Sequence, residues 1–153
     1  MCLTNSVIEL YHDICLIKNY VVEIPSRSDW IGNNDELKED IVCYIDGSRM
    51  ESRKLTGANV FDETHNKQHM FPLGKQTTVY QAELYAILMC VVLMSNSTDK
   101  SITICSDSQA ALKTISTARS KSGLVWETMT KLQSLSIHNC ARLLWNLGHS
   151  NIE

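Results

Sequence analysis

Apolar and polar positions divide the chain into short blocks separated by turn-forming residues. Ile41-Val42-Cys43-Tyr44-Ile45 is a continuous apolar run ending in Asp46-Gly47-Ser48, the pattern of a strand buried on both faces and closed by a turn. Thr56 to Asp62 and Gln68 to Leu73 are short and bounded by polar residues. They predict two strands meandering antiparallel beside the first, with Pro72 placing the second near a sheet edge. Thr78 to Met94 differs in kind: Leu84 to Met94 is apolar on every face, Glu83 is the one charged side chain, and a helix buried in the centre of a domain is predicted. A membrane span needs about 20 such residues, so this one is too short. Ser101 to Ser106 predicts a β-branched strand stopping at Asp107, and Ser108 to Ile115 a helix with Ala111, Leu112 and Ile115 on its apolar face. A further helix, Gly123 to Leu135, and a last strand, Cys140 to Trp145, complete the pattern.

A strand, a crossover helix and a second apolar strand make a parallel pair with a right-handed connection. Asp46 and Asp107 then emerge at the same carboxyl edge, where open α/β sheets bind ligands.

Composition narrows the class. With 153 residues, 44% hydrophobic and 20% charged, the chain fits one soluble globular domain. The N-terminus, MCLTNSVIELYHDICLIKNY, has no basic leader and carries Glu9 and Asp13, which supports neither a signal peptide nor an anchor and predicts an intracellular location. Residues 1–40, broken at Pro25 to Ser28 and by the polar link Gly32 to Asp40, read as a lead-in or connector, and residues 41–153 as the domain. The six cysteines are widely spaced without a C-x-x-C pair, as expected of reduced core residues. A net charge of −3 with no long basic run argues against holding nucleic acid by charge alone. His65 and His69 have metal-ligand spacing if helical, but Asn66, Lys67 and Gln68 favour a solvated hairpin.

Three acids remain to be explained. Leaving Glu83 ionised beside apolar surface costs several kcal/mol, so it should be exposed at the helix start, paired, or bound to a metal. Asp46 is either a turn residue or a site residue, and Asp107 or Ser108 can cap the following helix. Should the three converge, each pair about 4 Å apart repels by roughly 4 kcal/mol at an effective dielectric near 20. No Lys or Arg adjoins Glu83 in sequence, and oxygen ligation suits Mg²⁺ or Mn²⁺. Such a cluster is the kit for two-metal phosphoryl transfer, one ion activating water and the other stabilising the leaving oxygen.

YIDGS at Tyr44 to Ser48, TVYQAELYAI at Thr78 to Ile87, SDSQAAL at Ser106 to Leu112 and LGHSNIE at Leu147 to Glu153 together resemble, in order and spacing, the ribonuclease H domain of non-LTR retrotransposon polyproteins. The resemblance implies an α/β fold with a mixed five-stranded sheet, three antiparallel strands then two parallel ones, and helices on both faces. It implies an endonuclease that hydrolyses the RNA strand of RNA–DNA hybrids, with Asp46, Glu83 and Asp107 as ligands of two Mg²⁺ (or Mn²⁺) ions and His149 assisting near the scissile phosphate. Gly47, Ser48 and Gln109 match positions that touch the hybrid. A reverse transcriptase domain is the partner the resemblance implies, and a membrane plays no part. The chain stops at Glu153, before the position of the family's fourth metal-binding Asp and its final helix, so weakened activity is expected. The other reading is a non-catalytic relic that keeps the fold to bind nucleic acid or protein. Beyond Arg119, Ser120 and Lys121 the basic substrate-binding segment of some members has no counterpart.

Overall fold

The computed structural model describes residues 19–26, 39–117 and 122–146. Along the chain these form strands β1 (Val21–Glu23), β2 (Ile41–Met50), β3 (Leu55–Asp62) and β4 (Lys67–Gly74), and helix α1 (Val79–Leu93). Strand β5 (Ser101–Ser106), helices α2 (Gln109–Ser116) and α3 (Gly123–His138), and strand β6 (Cys140–Trp145) follow. One sheet takes the order β1-β6-β5-β2-β3-β4, antiparallel through β2, β3 and β4 and parallel through β2, β5, β6 and β1.

Strand alternation decides which residues meet the helices. Ile41, Cys43 and Ile45 of β2, Ile102 and Ile104 of β5, and Ala141 and Leu143 of β6 enter one core with Leu84, Ile87 and Val91 of α1 and Met129 and Leu132 of α3. The alternate positions Val42, Cys105 and Leu144 form a smaller buried cluster with Tyr44 on the opposite face. The three described helices touch one another, and most of their buried apolar residues join the first core.

The capping chemistry fixes the helix starts. Thr78 accepts from the Gln81 N–H while the Gln81 side chain accepts from the Thr78 N–H, a reciprocal capping box that starts α1 at Val79. Ser108 and Ser122 cap α2 and α3 through their hydroxyls. No described helix is long and apolar enough to cross a membrane.

Two features depart from the pattern expected of the sequence. The sheet has six strands where five were expected, because Val21–Glu23, within the stretch read as a lead-in, pairs in parallel with β6. The buried Tyr20 hydroxyl donates to the Ile115 carbonyl at 2.8 Å, and Arg142 reaches Glu23 at 3.6 Å and Glu39 at 3.0 Å. In addition, Asp46-Gly47-Ser48 is not a turn: β2 continues to Met50, paired with Leu55 of β3. Asp46 still marks the end of the parallel region, since Ile45 opposite Ser106 is the last β2–β5 pair.

Candidate metal centre

Gly47 explains how the central helix reaches the sheet. A Cβ there would lie 2.8 Å from the Glu83 nitrogen and 2.9 Å from the Val79 carbonyl oxygen, so the α1 backbone rests on the bare glycine. That approach sets Glu83 beside Asp46, with the Gly47 N–H donating to Glu83 Oε1 at 2.9 Å. Glu83 Oε2 is buried and has no hydrogen-bond partner among the described residues. The residue is 5% exposed, which removes the reading of Glu83 as a solvated first-turn acid.

Asp107 arrives from the third element. It follows the last residue of β5 and is exposed. Ser108 supplies the α2 cap, its Oγ accepting from Ala111 at 3.2 Å, so that role does not fall to the Asp107 carboxylate. Its backbone is held from β6: Trp145 Nε1 donates to the Asp107 carbonyl at 3.2 Å, and the Asn146 N–H to the Ser106 carbonyl at 2.8 Å. Sequence reasoning read Trp145 only as the end of a strand; an indole at the sheet's carboxyl edge was the available signal.

One carboxylate oxygen from each of Asp46, Glu83 and Asp107 lies within 4.8 Å of the others. Burial pushes the Glu83 carboxyl up to about 8; the Gly47 N–H opposes this, and the charges of Asp107 and Asp46 add to it. Three converging carboxylates, one with an unbonded buried oxygen, fit a hard divalent cation, which would supply the missing positive charge.

The remaining candidates separate. Ser48 is exposed on β2 and Gln109 opens α2, part-exposed beside Asp107. His65 lies in the turn between β3 and β4 with its Nδ1 2.7 Å from Asp62 Oδ2, and His69 lies on β4, so helical ligand spacing does not arise. His149 and the LGHSNIE motif, Arg119, Ser120 and Lys121, and Cys2 and Cys15 fall outside the described residues. Cys43, Cys90 and Cys105 are buried and Cys140 is exposed, all as free thiols.

A family model described as RNase H matches residues 38–151, about three quarters of the chain. The chain belongs to the RNase H family. No curated protein matches it. The RNase H match contains all three clustered acids and strands β2 to β6, and the mixed sheet agrees with that assignment. Divalent cations are the normal cofactors of RNase H domains, in keeping with the oxygen-only donor set.

Proposed function

We propose that this RNase H domain is an endonuclease that hydrolyses the RNA strand of RNA–DNA hybrids, with Asp46, Glu83 and Asp107 holding Mg²⁺ or Mn²⁺. The observation that carries the reading is the convergence of three acids from three elements within 4.8 Å, at the end of the parallel strands. When bound, the divalent cations supply the Lewis-acid charge that activates water and offsets charge developing at phosphorus.

The protein's own part is positioning. The Gly47 N–H occupies Glu83 Oε1 and leaves Oε2 available inside the site. The α1 backbone cannot drift toward or away from β2 without losing its seat on Gly47. Asp107, on an exposed loop, is held through its carbonyl by Trp145. Gly47 and Ser48, in β2 just after Asp46, and Gln109, which opens α2 just after Asp107, contact the hybrid in this reading, where the 2′-OH tells RNA from DNA. His149 assists at the scissile phosphate in this reading, and a reverse transcriptase domain of the same retroelement polyprotein delivers the hybrid.

The test is cleavage of a labelled RNA–DNA hybrid in Mg²⁺ and in Mn²⁺, beside single-stranded RNA, duplex RNA and duplex DNA. The expected result is cuts in the RNA strand of the hybrid alone, abolished in Asp46→Asn. A protein that binds the hybrid but cuts it in neither metal would instead be the non-catalytic relic.

A further inference from the structure

Asp46 has a neighbour on each side across the sheet. Toward β5 the last parallel pair is Ile45 with Ser106, and Asp107 follows it. Toward β3 the antiparallel register sets Asn59 directly opposite Asp46. Strand alternation decides where the Asn59 side chain goes. Ala58 and Val60 of β3 enter the helix-covered core, so Asn59 between them leaves the sheet on the other face. Ile45 of β2 enters the same core, and Asp46 beside it shares the face of Asn59. Asp46 is therefore flanked by a carboxylate on the β5 side and an amide on the β3 side.

The fold gives this amide no task. Asn59 pairs through its register with Asp46 and Met70, but its half-buried side chain makes no hydrogen bond among the described residues. Asn is also depleted in strands, where β-branched and aromatic residues pack better. Its position beside the acids supplies a reason. Directly opposed strand residues have Cβ atoms about 4.5–5.5 Å apart, and Asn and Asp side chains have the same length. A hard cation lies about 2.1 Å from a ligand oxygen, and a bound water reaches about 2.8 Å further, so the Asn59 amide stands roughly one water from a cation held by Asp46. Mg²⁺ keeps several of its waters when bound by carboxylates, which leaves such a water to be held. The buried, unbonded Oε2 of Glu83 marks the same place as one that lacks a cation.

We infer that Asn59 is a positioning residue of the metal centre, its side-chain carbonyl oxygen holding a water of the divalent cation bound at Asp46, an inference that rests on the reading of Asp46, Glu83 and Asp107 as metal ligands. The three acids then fix the ion directly, and Asn59 orients its hydration shell from the β3 side. A neutral amide does this without adding a fourth negative charge to carboxylates that already repel one another. The sequence hides the role, since Asn59 stands inside an ordinary strand pattern and meets Asp46 only through register.

Mn²⁺ affinity of the full chain is measured by calorimetry for the parent, Asn59→Ala and Asn59→Asp, beside metal-free urea unfolding of each. Asn59→Ala should raise the Mn²⁺ Kd about tenfold, as removal of other partners around a metal does, while metal-free unfolding changes little. Asn59→Asp keeps the length of the side chain and its oxygen and adds a charge. It should lower the Kd about tenfold and, through repulsion from Asp46, make the metal-free protein less stable. Half-saturating Mg²⁺ for hybrid cleavage should move in the same two directions. Changes in unfolding with an unaltered Kd would make Asn59 a structural residue, and loss of affinity in both variants would make it a donor to the Asp46 carboxylate; either result overturns the inference. A parent that binds no Mn²⁺ overturns the inference together with the metal centre. A parent that binds Mn²⁺, with the two variants shifted as stated, but cuts no hybrid removes the cleavage reading alone.

Discussion

Trp145 Nε1 donates to the main-chain carbonyl of Asp107 at 3.2 Å, so the last strand of the sheet holds the exposed member of the carboxylate cluster. Asp107 lies beyond its strand, where a loop would otherwise sample several positions, and this bond with that of Asn146 to Ser106 fixes it from the neighbouring strand. Trp145→Phe keeps an aromatic ring and removes the donor. It should cost about 1 kcal/mol of stability and, as for other partners that orient a metal ligand, about tenfold in metal affinity. Half-saturating Mg²⁺ for cleavage should rise accordingly, with kcat at saturating metal changed little, and calorimetric Mn²⁺ titration should show the same shift. Unchanged metal affinity would reduce the bond to a structural tie.

Gly47 and Gly123 give opposite expectations for the same substitution. A methyl at Gly47 meets the backbone of Glu83 and Val79 at 2.8 and 2.9 Å, atoms that yield only if α1 moves as a body. Gly47→Ala should therefore cost about 1 to 3 kcal/mol in urea unfolding and weaken metal binding, because the Glu83 carboxylate moves with the helix. At Gly123 nothing lies within 4 Å of the added carbon. Gly123→Ala should be neutral or stabilise by up to about 1 kcal/mol, chiefly by restricting the unfolded chain.

The elements with strong periodicity and clear punctuation were legible in sequence. The central helix expected from Thr78 to Met94 has those two residues as its caps, and the strands around Ile104 and Leu143 lie where their β-branched and apolar runs stand. The three acids were singled out by position, since each interrupts or ends an apolar run, and the structure brings them together. Gly47 was misread because a glycine that admits a helix and a glycine in a turn look alike in sequence, and the difference lies in what packs on it. Strand β1 was missed because three residues carry no usable period and its parallel partner is at the far end of the domain.

Tyr20 tests whether the early segment belongs energetically to the sheet. Its buried hydroxyl donates to the Ile115 carbonyl at 2.8 Å, satisfying a carbonyl in the last turn of α2 that has no partner within its own helix. Tyr20→Phe should lower stability by about 1 to 2 kcal/mol in chemical denaturation. A chain beginning near Ile41 should lose more, since β1 and the Arg142 contact to Glu23 go with it. Val21→Thr, on an exposed side chain of the same strand, should change little. Equal stability of Tyr20→Phe and the parent would show that β1 adds pairing without adding stability.

Glu83 gives the pH dependence its sign. Its carboxyl titrates near 8 when folded and metal-free, against an ordinary value of 4.5, so between these values the folded protein holds a proton that the unfolded chain has released. Metal-free stability therefore falls as pH rises from about 4.5 to 8, by about 5 kcal/mol at most. Glu83→Gln removes the titration and should abolish cleavage while stabilising the metal-free protein at pH 8 but not at pH 4.5. Mg²⁺ should act in the opposite sense, because it requires the ionised carboxylate: its stabilisation, about 2.7 kcal/mol at a hundredfold excess over Kd, should appear at pH 8 and fade toward pH 5.5. Urea unfolding of the parent and Glu83→Gln across pH, each with and without Mg²⁺, isolates this residue from other titrating groups. Parallel pH profiles for the two proteins without metal would show that Glu83 is ionised in the folded state throughout, and the electrostatic account of the cluster would fall.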